Sequence, residues 1–286
     1  FAILISKPSV IYLKFADQLQ TFPISLFGAS IAAAALPALS KTANPENTEN
    51  FKKVFITSLH QMLFFALPCS VILLVLRVPV IRIVYGASKF PWESTVKTAY
   101  VLAFFSLSIF SQSATLLITR AFYALKNTTT PLKTTAIFAP INLLICLFFI
   151  RVLNLGAWSL AFAYSITSII ETLVLLGLLG KAVNGFNIKA LLYPFVKMSY
   201  ATLLMGISLY LPLKLLDSRV FDTTRTIQLL GITGIAGIFG LISYLFFTKL
   251  FQVEEIALMH KLITKISFKK AFLETPKVNS VTELDN

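Results

Sequence analysis

Seven apolar stretches, separated by short polar or basic connections, decide what this chain can become. They run at about 19–39, 54–76, 99–125, 134–150, 156–180, 192–216 and 226–247. A transmembrane helix needs roughly 20 such residues, and inside lipid only helices and closed barrels satisfy every backbone polar group. The expectation is an all-α polytopic membrane bundle of about seven transmembrane helices. Short connections make neighbouring helices antiparallel. Phe1–Ile5 reads as the frayed end of an earlier span. The chain opens at Phe1 with no basic leader and no initiator methionine, as expected of a fragment.

The charge balance fits this class. Only 13% of residues are charged and 57% are hydrophobic, against about 25% charged in soluble domains. The net charge of +13 reflects topology and anionic lipid, so membrane lipids are the expected partners and nucleic acid is not. Lys41, Lys126, Lys181 and Lys189, with the lysines of the tail, lie on the side with the larger share of Lys and Arg. That bias places the Ser40–Asn50 loop and the tail in the cytoplasm. Cys69 and Cys146 sit in separate apolar runs as packing residues, and His60 and His260 lack ligand-like neighbours. Neither a metal nor a cofactor is expected. His60 and Gln61 read as polar glue between helices.

One stretch stands apart, Phe15 to Ser40 (FADQLQTFPISLFGASIAAAALPALS). It opens on Asp17, Gln18 and Gln20, continues through Gly28, Ala29, Ser30 and Ala32–Ala35, and carries Pro23 and Pro37. Proline kinks a helix, and such breaks survive in a bilayer only against protein or a wet cavity. Small residues admit a close neighbour. Two readings stay open: a kinked helix with polar groups facing a cavity, or a packing helix with a capped start.

Further on, Arg120 and Glu171 stand inside apolar runs. Intramembrane charges face a bundle interior and pair, so the two are expected to approach each other or face one wet cavity. The bland alternatives are a snorkelling Arg120 and a protonated Glu171 bonded to a neighbour. Gly231, Gly234, Gly237 and Gly240 recur every third residue, marking a thin helix packed on more than one side. Pro79–Trp92 and Gly185–Tyr193 read as interfacial pieces. After Phe247 an amphipathic pattern (Phe251, Val253, Ile256, Leu262, Ile263, Ile266) suggests a helix on the membrane surface, and Thr275–Asn286 a disordered end.

Three stretches, FADQL–TFPISLFG–LPALS in Phe15–Ser40, RVPVIRIVYGASKF at Arg77–Phe90 and RAFYALKNTTTPLK at Arg120–Lys133, together resemble the lipid II flippase family (MurJ, also called MviN) of the multidrug/oligosaccharidyl-lipid/polysaccharide exporter superfamily. The resemblance implies helices eight to fourteen of a fourteen-helix fold, with the amino-terminal lobe missing. Residues 1–181 would be the carboxy-terminal lobe, 182–248 two additional helices, and 249–286 a cytoplasmic amphipathic segment and tail. It implies movement of an undecaprenyl-diphosphate-linked peptidoglycan precursor across the bacterial cytoplasmic membrane by alternating access. The partner would be a lipid-linked anionic substrate. Where the family often carries arginine, this chain has Gln18, which can hydrogen-bond a phosphate but brings no charge. Asp17 matches the family residue and either pairs with a basic residue of the missing lobe or caps the helix start. Asn142 stands where a family cation ligand comes from, but Cys146 replaces the carboxylate one turn on, and no sodium site is claimed.

The substrate-pathway candidates are therefore Asp17, Gln18, Arg120 and Glu171, with Pro23 and Pro37 as helix kinks and no catalytic residue. The competing readings are another exporter of the superfamily, for O-antigen-type lipids or drugs, and a non-transporting half of a split protein. A membrane enzyme acting on polyprenyl phosphates would need gathered carboxylates or histidines, and the acidic residues here are scattered.

Overall fold

The computed structural model describes residues 7–44, 47–86, 91–219, 226–253 and 255. Several expectations lie outside the described residues: the span end at Phe1–Ile5, the turn at 87–90, His260, and the surface helix and polar end beyond Glu255. All regular structure among the described residues is helical. Among the described residues six helices are long and apolar enough to cross a membrane, seven if one bent pair counts as a single span.

The first span is composite. Helix α1 (Lys7–Pro23) runs into a π-helical turn (Ile24–Ala29), which passes into α2 (Ser30–Thr42). Pro23 has no N–H for the ladder, and the chain widens there into the π turn. Pro37 lies inside α2, which continues to Thr42. This span begins well before the expected Leu19. Lys14 and Asp17 dilute the apolar run, but Tyr12 and Ala16 are buried in a cluster with Ile81, Ala99 and Leu102, and that packing extends the helix.

Helix α3 (Thr48–Val75) crosses the centre of the bundle, and the short α4 (Arg77–Tyr85) follows it after a bend at Leu76. The third expected span is broken: α5 (Trp92–Ser106) and α6 (Ile109–Ala124) meet at a bend of 44°. Serines explain the break. The hydroxyls of Ser106, Ser108 and Ser111 each donate to the carbonyl three residues back, at 2.8 Å, a bond that competes with the helical ladder. Helices α7 (Thr129–Arg151), α8 (Trp158–Ala182), α9 (Ile188–Arg219) and α10 (Thr226–Leu250) follow the remaining apolar runs closely.

The main core joins α2, α3, α6, α8, α9 and α10 around Phe55, Met62, Phe64, Leu117, Leu175 and Met205. Helix α7 packs mainly on α8. Three helices end alike. Lys126, Asn184 and Gln252 adopt positive φ after α6, α8 and α10. The next N–H in each case reaches back to the carbonyl of Phe122, Gly180 or Thr248. At Lys126 and Gln252 a second bond, from their own N–H to the Tyr123 and Lys249 carbonyls, completes the double-bonded helix stop that usually takes glycine. Beyond α10 the chain turns inward. Glu255 Oε1 lies 3.6 Å from His60 Nδ1, while His60 Nε2 stands 3.2 Å from the Leu191 carbonyl. A carbonyl only accepts, so Nε2 carries the hydrogen and His60 links α3 to α9.

The glycine repeat of α10 is only partly a packing device. A Cβ at Gly231, Gly234 or Gly237 would meet nothing within 4 Å, whereas one at Gly240 would lie 2.5 Å from Leu209 Cγ of α9. The expectation of a helix packed on several sides therefore fails for three of these glycines; close approach falls on Gly240. Gly240→Leu should destabilise the protein by about 1–3 kcal/mol through overpacking, and Gly234→Ala should not. Thermal unfolding of the two variants in detergent micelles checks this.

Candidate polar site

In an apolar bundle a polar side chain has to find its partner within the protein, and the polar groups here gather along α1, α6 and α8. The row starts at Asp17. This residue lies in the interior of α1, not at a helix start, so the capping reading is corrected: the helix reaches back to Lys7. Its Oδ1 accepts from Gln20 Nε2 at 2.8 Å. Gln20 is 1% exposed, and its Oε1 accepts from Gln112 Nε2 of α6 at 3.1 Å. Gln112 Nε2 also donates to Ser108 Oγ at 2.8 Å, and its Oε1 accepts from the Tyr164 hydroxyl of α8 at 3.2 Å. One amide thus fastens three helices.

Alongside, α6 and α8 run parallel and share hydroxyl pairs. Ser111 meets Ser168 at 3.0 Å and Thr115 meets Thr172 at 2.8 Å, one turn apart. Thr172 also donates to the Ser111 carbonyl at 3.1 Å. The π turn approaches α6 at Gly28, where a Cβ would lie 2.9 Å from that of Ser113.

Gln112 and Tyr164 reach the rim of a cleft of about 440 Å³ between α6, α7 and α8, with Ile24 of the π turn also lining it. Glu171 lines the same cleft and its Oε1 accepts from Thr135 Oγ1 of α7 at 2.8 Å. Deeper along α7, Asn142 Nδ2 donates to Thr167 Oγ1 at 3.2 Å, and the Cys146 thiol lies 3.8 Å from Asn142 Oδ1. Among the described residues the lining is otherwise neutral: Glu171 brings its carboxylate, and no ammonium or guanidinium group lines the cleft with it. Among the described residues no three His, Cys, Asp or Glu side chains converge as metal ligands would.

Arg120 does not join this cleft. It lies one turn beyond Leu116 on α6, is exposed, and holds its guanidinium 5.9 Å from the centroid of the Tyr123 ring. It makes no ion pair with Glu171 among those found between described residues, which are Lys52–Glu49, His60–Glu255 and Lys97–Glu93. The hydroxyl pairs set Glu171 level with Ala114, six residues before Arg120, so the two differ in depth by about 9 Å. The expectation that they share a cavity is corrected accordingly.

Gln18 is exposed beside Asp17 and serves as an acceptor: the Tyr85 hydroxyl of α4 donates to its Oε1 and to the Phe15 carbonyl, both at 3.2 Å. Burial pushes the Tyr85 phenol above its ordinary range, which keeps it a donor. The Phe15 and Tyr85 rings stack 4.4 Å apart. Helix α4 (Arg77–Tyr85), the described part of the second family-like stretch, therefore docks through Tyr85 on the one at Phe15–Ser40. The stretch at Arg120–Lys133 forms a helix–turn–helix, in which Asn127 Oδ1 accepts from the Thr130 N–H at 3.1 Å at the start of α7.

Sequence reasoning missed Gln112, Thr135 and Tyr164. Gln112 had a signal: a lone amide within an apolar run, between Ser111 and Ser113.

Comparison with known proteins follows the same lines. The family model described as "Lipid II flippase MurJ" matches residues 1–227. A probable lipid II flippase MurJ of Bdellovibrio bacteriovorus is 28% identical over 232 residues, 81% of this chain and 43% of its own length. The lipid II flippase MurJ of Thermosipho africanus is 31% identical over 199 residues, 70% of this chain and 39% of its own. A solved structure titled "Lipid II flippase MurJ, inward closed conformation" superposes with a TM-score of 0.69 at 29% identity, over 87% of this chain and 48% of that one. The chain spans less than half the length of these relatives.

If Gln112 is the tie, Gln112→Leu leaves the buried Gln20 carbonyl oxygen without its donor, at a cost of about 1–3 kcal/mol. Gln20→Leu combined with Gln112→Leu should lose less than the sum of the single changes. A double-mutant cycle of thermal unfolding in detergent tests this.

Proposed function

From its membership of the lipid II flippase MurJ family, to which the match over residues 1–227 assigns the chain, we propose that it forms the carboxy-terminal wall of a lipid-linked precursor flippase in the bacterial cytoplasmic membrane. An amino-terminal lobe would supply the facing wall. The substrate would be an undecaprenyl-diphosphate-linked peptidoglycan precursor, moved between leaflets by alternating access.

One observation carries the reading: the polar row Asp17–Gln20–Gln112–Tyr164 lies along helices long and apolar enough to cross a membrane. Carrying a diphosphate and a sugar through hydrocarbon costs several kcal/mol unless polar groups replace water. The exposed Asp17 end of the row and the Glu171 cleft offer such groups on this side, and positive charge for the diphosphate would have to come from the facing lobe. Asp17 and Gln18 are both exposed, and Asp17 is free to meet a basic partner across the gap. Asp17, Gln18 and Glu171 are the pathway residues of this proposal, and Arg120 acts outside the cleft. The composite first span, with Ser25, Ala29, Ser30 and Ala33 exposed along one side, gives the facing lobe a smooth surface to move against.

A second reading, an exporter of another lipid-linked oligosaccharide in the same superfamily, draws on Gln18. This residue is neutral and its carbonyl oxygen is engaged by Tyr85.

The test is rescue of a flippase-depleted bacterium by the full-length gene containing this chain, with lipid II on the outer leaflet as the readout. Rescue is expected; failure, with external lipid II absent, overturns the proposal. Glu171→Gln should retain the fold and lower the rescue. Gln18→Arg has no acceptor for Tyr85 but adds charge, so it should strengthen rescue if lipid II is the substrate.

A further inference from the structure

A second cleft, of about 580 Å³, opens where α8 ends and α9 begins. It shares no lining residue with the polar cleft. Leu173, Phe186 and Ile188 make it apolar, and Lys181 lines it at the last turn of α8. Gly177 and Gly180 make it concave: a Cβ at Gly177 would meet nothing within 4 Å, and one at Gly180 would touch only the Phe186 ring. Asn184 and Gly185, both at positive φ, reverse the chain tightly here, and the Asn187 side chain caps the start of α9. The trough is thus built by the hairpin itself.

Its two ends differ in chemistry. The apolar part lies within spans that cross the membrane, with Leu173 62% and Ile188 67% exposed. At the hairpin end, Lys181, which lines the trough, and Lys189, in the first turn of α9 next to the lining Ile188, are both exposed, and neither belongs to an ion pair found among the described residues. A lipid chain would fill the trough, and an anionic headgroup would answer the lysines at the level where spans end. A zwitterionic lipid matches the trough alone, and a soluble anion the lysines alone.

We propose that this cleft is a phospholipid site, holding one acyl chain of an anionic phospholipid against Gly177 and Gly180 with its phosphate at Lys181 and Lys189. It is separate from the substrate pathway and does not depend on what the protein transports. Native mass spectrometry of the full chain, released from bilayers of mixed phosphatidylglycerol and phosphatidylethanolamine, reads it directly. The wild type should retain phosphatidylglycerol several-fold over phosphatidylethanolamine. Lys181→Gln with Lys189→Gln should abolish that preference. Gly177→Phe places its ring in empty space, so its thermal stability should match the wild type while the bound lipid is lost. A wild type without the preference, a lysine variant that keeps it, or a Gly177→Phe variant that holds as much phosphatidylglycerol as the wild type would overturn the proposal.

Discussion

The structure hangs on a neutral hydrogen bond between two amides, Gln20 and Gln112. Ion pairs are scarce within the described bundle, and the two i,i+3 or i,i+4 pairs sit at exposed helix starts, where they contribute little. The ties across the apolar middle are amide to amide and hydroxyl to hydroxyl. Neutral groups avoid the desolvation of charge, yet once buried they tolerate no missing partner. Gln112 is central because its carboxamide can donate and accept together. It draws α1 and α8 to α6, and the cleft opens beside the place where those helices meet.

The number and order of spans were legible because length and hydropathy are set by the bilayer, not by neighbours. Where the sequence misled, packing had overruled composition. Lys14 and Asp17 look like the edge of a span, but Tyr12 and Ala16 are held by α4 and α5, and the helix continues through them. The third run looks continuous, yet its serines turn their hydroxyls onto their own backbone and bend it. Gly231, Gly234 and Gly237 resemble a packing motif, but which glycine meets a neighbour depends on where α9 crosses, and sequence alone does not fix that crossing.

The polar site was half visible. Asp17, Gln18 and Glu171 stood out by type, and the structure places Asp17 in the row and Glu171 in the cleft. Arg120 also stood out by type, but it lies one turn beyond the lining Leu116, about 6 Å further along α6, past the end of the cleft. The three family-like stretches carry structural work. Two of them lock together through Phe15, Gln18 and Tyr85, and the third closes the turn between α6 and α7.

The π turn of the first span accounts for one more pattern. Ala16, Gln20, Ile24, Gly28 and Ala32 are all buried, at intervals of four. In an ordinary helix the last would face about 160° away from the first. The widened turn takes back most of that drift, so one seam stays against the bundle over the whole distance. An insertion or deletion between Pro23 and Gly28 would rotate one end of the seam outward, stranding either Gln20 or the alanines beyond.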